Sequence, residues 1–97
     1  MGDAGAVPQM RAAKVDKNHG QIVEALRGAG ASVQSLATIG KGCPDLVAAK
    51  WPHVWMIEVK GPKGKLTPDQ VEWIGNWKGA VHIVRTAEEA LTLVGEA

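Results

Sequence analysis

The chain has 97 residues and a formal net charge of +1, enough length for one compact domain and too little for two, with no overall charge bias for or against nucleic acid. Hydrophobic residues make up 45%, so an apolar core needs no staples, and the single cysteine, Cys43, has no intramolecular partner, which fits a reducing cytosol. No apolar run approaches membrane-spanning length and no charged-then-apolar leader opens the chain, so a soluble, unexported protein without membrane partners is expected.

Residues 1–15 mix Gly, Ala, Pro and Met with no period and are expected to form a flexible arm, with residues 16–97 as the folded unit. A helix pattern begins at Asp16, with Asp16 or Asn18 as N-cap, a stripe of Ile22, Val23 and Leu26, and Gly28 and Gly30 as the stop. Gly20 lowers helix propensity there by about 1 kcal/mol against alanine and suggests close approach by another backbone. Ala31–Leu36 reads as a short strand, and a loop with Gly40 and Gly42 follows. Pro44 opens a strand from Asp45 to about Lys50, where its missing N–H does least harm. Trp51-Pro52-His53 is a turn and Val54–Lys60 the central strand. Gly61–Lys65 is a glycine- and lysine-rich loop.

Thr67-Pro68-Asp69-Gln70 is a strong helix start: threonine caps, proline suits the first helical position, aspartate favours the dipole and glutamine completes a capping box. Val71, Ile74, Trp73 and Trp77 are expected to pack, and Gly79 to stop the helix. The two tryptophans read as core or dimer interface, with base stacking as the lesser alternative. Ala80–Arg85 is a fourth strand, and Thr86–Glu89 repeats the capping pattern before a helix with Ala90, Leu91 and Val94 as its seam. The order α-β-β-β-α-β-α predicts an α/β fold: an antiparallel three-strand meander, then a right-handed parallel crossover, giving a mixed four-stranded sheet with flanking helices.

Alternation along the strands concentrates the chemistry. Asp45, Val47 and Ala49 share one face; Met56, Glu58 and Lys60 share one face of the next strand. A hairpin joining these strands brings Asp45 beside Glu58, and two carboxylates plus a backbone carbonyl suit a hard divalent cation. Read blandly, Asp45 is a turn aspartate and Glu58–Lys60 an exposed ion pair worth at most about 1 kcal/mol. A central strand covered on both faces argues against that, because buried charge without a metal is costly. Lys41, Lys63 and Lys65 fall around these residues and are candidates for phosphate contact or for simple solvation. His53 and His82 read as structural, and no zinc spacing or paired base supports thiol chemistry at Cys43.

Pro44-Asp45, twelve intervening residues and Glu58-Val59-Lys60 resemble the motif of the PD-(D/E)xK nuclease superfamily. With Gly40–Val47, the Leu66–Gln70 helix start and Val81–Glu89, the chain is similar over about residues 16–95 to the VRR-NUC family, including its short stand-alone phage and bacterial members. The resemblance implies a restriction-endonuclease-like core and Mg²⁺- or Mn²⁺-dependent phosphodiester hydrolysis on DNA, with no organic cofactor, in the cytoplasm of a bacterial or phage-infected cell. By position it implies Asp45 and Glu58 as metal ligands and the Val59 carbonyl as a third oxygen. Lys60 becomes the group that positions water and offsets charge, and Gln70 matches a glutamine found near such sites. Branched substrates such as Holliday junctions or flaps, and a homodimer, are further implications. Many related nucleases place a metal-reaching glutamate on the first helix; here that place falls near His19, with Asn18 beside it and Glu24 beyond, so His19 and Glu24 are candidates for a metal or water contact. Two rival classes remain: a non-catalytic nucleic-acid-binding module on the same fold, and a structural dimer joined through its tryptophans.

Overall fold

The computed structural model describes residues 18–95; the arm expected at 1–15 and the alternative cap Asp16 lie outside them. The elements are α1 (His19–Gly28), β1 (Ser32–Ser35), β2 (Leu46–Lys50), β3 (His53–Val59), α2 (Pro68–Asn76), β4 (Val81–Val84) and α3 (Ala87–Gly95). The strands form one sheet in the order β1-β2-β3-β4, antiparallel for the first two pairings and parallel for the last. This is the expected mixed sheet with flanking helices. Strand ends differ from the sequence reading by a residue or two; Asp45 falls just before β2 and Lys60 just after β3.

Register sorts the side chains. Leu46 pairs with Ile57, Ala48 with Trp55, and Val59 with Val84, so these share one face. Ile22 and Leu26 of α1 and Ala90 and Val94 of α3 close over that face as a single buried cluster. Burial of this apolar surface is the main favourable term in the fold. In α3 the seam is Ala90 and Val94, with Leu93 packed against it; Leu91, expected there, is 45% exposed because its position turns away from α1.

The opposite face carries Val47 beside Met56, Met56 beside Val81, Ala49 beside Val54, and Glu58 beside Ile83. Among the described residues it has no comparable apolar cover: Val54 and Ile83 stay exposed. The expected packing of α2 fails here. None of its residues is buried, Val71 is exposed, and Trp73 stacks on Trp77 with ring centroids 4.7 Å apart instead of entering the core. The helix is attached through its first turn, and among the described residues Trp73 and Ile74 reach only half-burial.

Two end signals also resolve differently. The helix α2 stops at Asn76, with Trp77 already extended, three residues before Gly79. Gly20 meets no other atom where a Cβ would sit, so no close backbone approach explains it. Helix α1 ends as expected, at Gly28, with Gly30 at φ +96° bringing the chain round into β1. Asn18 occupies the N-cap position of α1 but does not cap. Its amide donates instead to the carbonyls of Lys60 (3.0 Å) and Arg85 (2.5 Å), tying the start of α1 to the ends of β3 and β4.

Candidate active site

The loop before β2 sets the first carboxylate. Gly40, Lys41 and Gly42 are all left-handed (φ 73°, 57° and 86°), and the Cys43 N–H donates to the Gly40 carbonyl at 3.1 Å. Pro44 is buried, and the Asp45 carbonyl accepts from the Leu36 N–H at 2.7 Å. Asp45 is thereby held at the mouth of the β2–β3 pair, where its Oδ2 accepts from the Val59 N–H at 2.9 Å. That bond puts the Asp45 carboxylate one residue from Glu58 on the neighbouring strand.

Glu58 is only 2% exposed, the sole buried charged residue among those described. Its Oε2 accepts from Gln70 Nε2 at 2.9 Å and lies 3.6 Å from Lys60 Nζ. Its Oε1 is buried and has no hydrogen-bond partner. Burial first, and the nearby Asp45 charge second, push the carboxyl from 4.5 up to about 7, against the opposing Lys60 ammonium. Burial, then the charges of Glu58 and Asp45, likewise raise the Cys43 thiol, which disfavours the thiolate that sulfur chemistry would need.

Gln70 serves two ends. Its Oε1 accepts from the Thr67 N–H (2.9 Å) while Thr67 Oγ1 accepts from the Gln70 N–H (3.2 Å), the reciprocal cap expected from the sequence. The remaining amide nitrogen holds Glu58. The capping geometry thus fixes which way the amide points, and with it the orientation of a buried carboxylate on the preceding strand.

The sequence reading missed what lets α2 come so close. A Cβ on Gly42 would overlap the Asp69 carbonyl and fall 2.9 Å from the Gln70 nitrogen. Only glycine lets the Asp45 loop press against the first turn of α2. The Gly-Lys-Gly run was visible, but its partner is 27 residues away, beyond local pattern.

Asp45, Glu58, Val59, Lys60 and Gln70 are therefore brought together. His19 and Glu24 line a groove with Val23, Arg27, Val33 and Leu46, the residue that follows Asp45, and no group of three or more His, Cys, Asp and Glu residues suited to a metal forms among the described residues. His19 Nε2 is buried without a hydrogen-bond partner. Lys63 and Lys65 are exposed on the loop after Lys60, and Lys41 lines a groove of about 580 Å³ with Asp69, Glu72, Trp73, Asn76 and Trp77.

The donor set fits a hard divalent cation. It is all oxygen, and the unpartnered Glu58 Oε1 and the mutual repulsion of two carboxylates are the conditions such an ion relieves.

The VRR-NUC domain family matches residues 6–87 of the chain. A solved structure described as a VRR_NUC domain shares the fold, with a TM-score of 0.65 at 22% identity, covering 82% of this chain and 97% of the other. No curated protein matches the chain.

The Glu58 shift has a measurable consequence. Its folded pKa lies above the unfolded one, so the folded state keeps a proton that the unfolded state releases. Its full contribution to stability is present below about 4.5 and is lost as pH rises to about 7. In chelator, wild type should lose on the order of 2 kcal/mol of stability across that window relative to Glu58→Gln. Urea melts from pH 4.5 to 8 check this; parallel pH profiles for the two proteins would show that Glu58 is not held in its neutral form.

Proposed function

The chain belongs to the VRR-NUC domain family of nuclease-type domains, and from that premise we propose that it is a DNA endonuclease dependent on Mg²⁺ or Mn²⁺. The observation that carries this reading is Glu58: a carboxylate nearly out of solvent, with one oxygen oriented by Gln70, the other unpartnered, and Asp45 and Lys60 as charged neighbours. Without a ligand that arrangement is only a cost.

Asp45, Glu58 and the Val59 carbonyl would hold the cation. When bound, it supplies Lewis-acid polarisation of a phosphate oxygen and a lowered pKa for water. Gln70 holds Glu58 Oε2 and leaves Oε1 as the free donor. Asp45 keeps its second oxygen for the ion while Oδ2 stays on the Val59 N–H. Lys60 places an ammonium 3.6 Å from Glu58, where it orients the attacking water and offsets the charge that develops on the phosphate. Exposed Lys41, Lys63 and Lys65 contact the DNA backbone, and branched DNA such as Holliday junctions or flaps is a candidate substrate beside linear DNA.

A homodimer is part of this reading, and the sheet face left open among the described residues supports it. Val54 is 67% and Ile83 36% exposed there, and Ile83 stands directly beside Glu58. A second copy laid on this face covers apolar surface that a monomer leaves in water and brings two sites together.

Asp45→Asn, Glu58→Gln and Lys60→Met should each lower metal-dependent cleavage of branched and linear DNA by at least about 100-fold, with DNA binding in chelator retained. Binding without cleavage by wild type in Mg²⁺ and Mn²⁺ would favour the non-catalytic module instead. Sedimentation at micromolar concentration should give a dimer for wild type and a monomer for Val54→Lys/Ile83→Lys; an active wild-type monomer would remove the dimer.

A further inference from the structure

We propose that Arg85, with Asn18, is a positioning residue for Lys60; this rests on the nuclease reading for its catalytic meaning. A lysine stem is flexible and its ammonium is a point charge, so a lysine that acts on one water must be held by its surroundings. Lys60 lies one residue beyond β3, outside regular structure. Even so, its side chain is only 12% exposed.

The backbone of Lys60 is held at both ends. Its N–H donates to the Val84 carbonyl at 3.1 Å, extending the parallel ladder one step. Its carbonyl accepts from Asn18 Nδ2 at 3.0 Å. The following turn, in which the Gly64 N–H donates to the Gly61 carbonyl at 3.1 Å, folds back over the lysine. A Cβ on Gly64 would sit 3.4 Å from Lys60 Cδ and 3.5 Å from its Cβ, so the turn lies against the stem.

Arg85 closes that turn. Its Nη1 donates to the Gly61 carbonyl at 2.6 Å and to the Gly64 carbonyl at 2.9 Å. Arg85 is itself fixed through its main chain: its N–H donates to Glu89 Oε1 at 2.6 Å on α3, and its carbonyl accepts from Asn18 at 2.5 Å on α1. In a protein that handles phosphates an arginine near the site invites a phosphate-binding reading. Here one guanidinium nitrogen is spent on two main-chain carbonyls, and both belong to the turn that cages Lys60. The two helices that close the core thus also set the lysine, through Asn18 from one and Arg85 from beside the other.

The test uses the full chain with Arg85→Ala, Arg85→Lys and Asn18→Ala, the last removing the hydrogen bond to the Lys60 carbonyl and leaving the Arg85 guanidinium in place should the arginine variants fail to fold. Expected is a fall in kcat of roughly 10- to 100-fold with KM for DNA little changed, as a misplacement of about 1 Å produces. A second readout needs no activity: the Lys60 ammonium resonance in a ¹H–¹⁵N spectrum without metal, assigned by its loss in Lys60→Met. It should be resolved in wild type and lost to exchange in the variants. Wild-type kcat and an unchanged Lys60 resonance in Arg85→Ala would overturn the proposal. So would a raised KM with kcat and resonance intact, which would make Arg85 a phosphate contact. A wild type that cleaves nothing sinks the nuclease reading alone and leaves the resonance to decide this one.

Discussion

Burying one carboxylate in the middle of a sheet is the constraint around which this small protein is built. Glu58 sits on the central strand at 2% exposure, on the face that the core helices do not cover. An ionised carboxylate there loses its water, and the fold returns only part of the lost hydrogen bonding: one amide from Gln70 and an ammonium at 3.6 Å. The rest of the deficit is left standing, as an unpartnered oxygen and a pKa raised to about 7. Strained electrostatics of this kind cluster at functional sites because chemistry needs charges poised and water excluded.

The surrounding structure is arranged to maintain that deficit. A glycine in the left-handed region lets the Asp45 loop press on the α2 helix, so that the capping glutamine reaches the strand. The hairpin register places Asp45 against the main chain of Val59. Asn18 holds the Lys60 carbonyl, and Arg85 closes the turn that follows it. The apolar cluster on the other face supplies the rigidity on which these placements depend. Among the described residues the same division leaves one face of the sheet without apolar cover, the surface we assign to a second copy.

Much of this was legible from residues alone, for particular reasons. Strand alternation and turn chemistry gave the element order, and the Pro-Asp and Glu-Val-Lys spacing pointed to Asp45 beside Glu58. The capping box at Thr67 was readable because its geometry is local. What the sequence concealed was long-range. The dual use of Gln70, the meeting of Gly42 with Asp69 and the clamp on Lys60 each join residues at least twelve positions apart by single atoms. The stripe of α2 misled because periodicity shows that a helix has an apolar side, not that the same chain covers it. Asn18 misled in the same way: its Nδ2 donates to carbonyls at two strand ends, and its Oδ1, the atom that would cap the helix, accepts nothing.

All of this turns on whether the two acids jointly hold a cation. The direct measurement is an anomalous difference map from crystals grown with MnCl₂. Expected is a strong peak within direct bonding distance of one Asp45 oxygen, Glu58 Oε1 and the Val59 carbonyl, absent from Glu58→Gln crystals. A map of well-ordered protein with no peak between Asp45 and Glu58, or with manganese bound elsewhere and the Glu58 oxygen still bare, would contradict it.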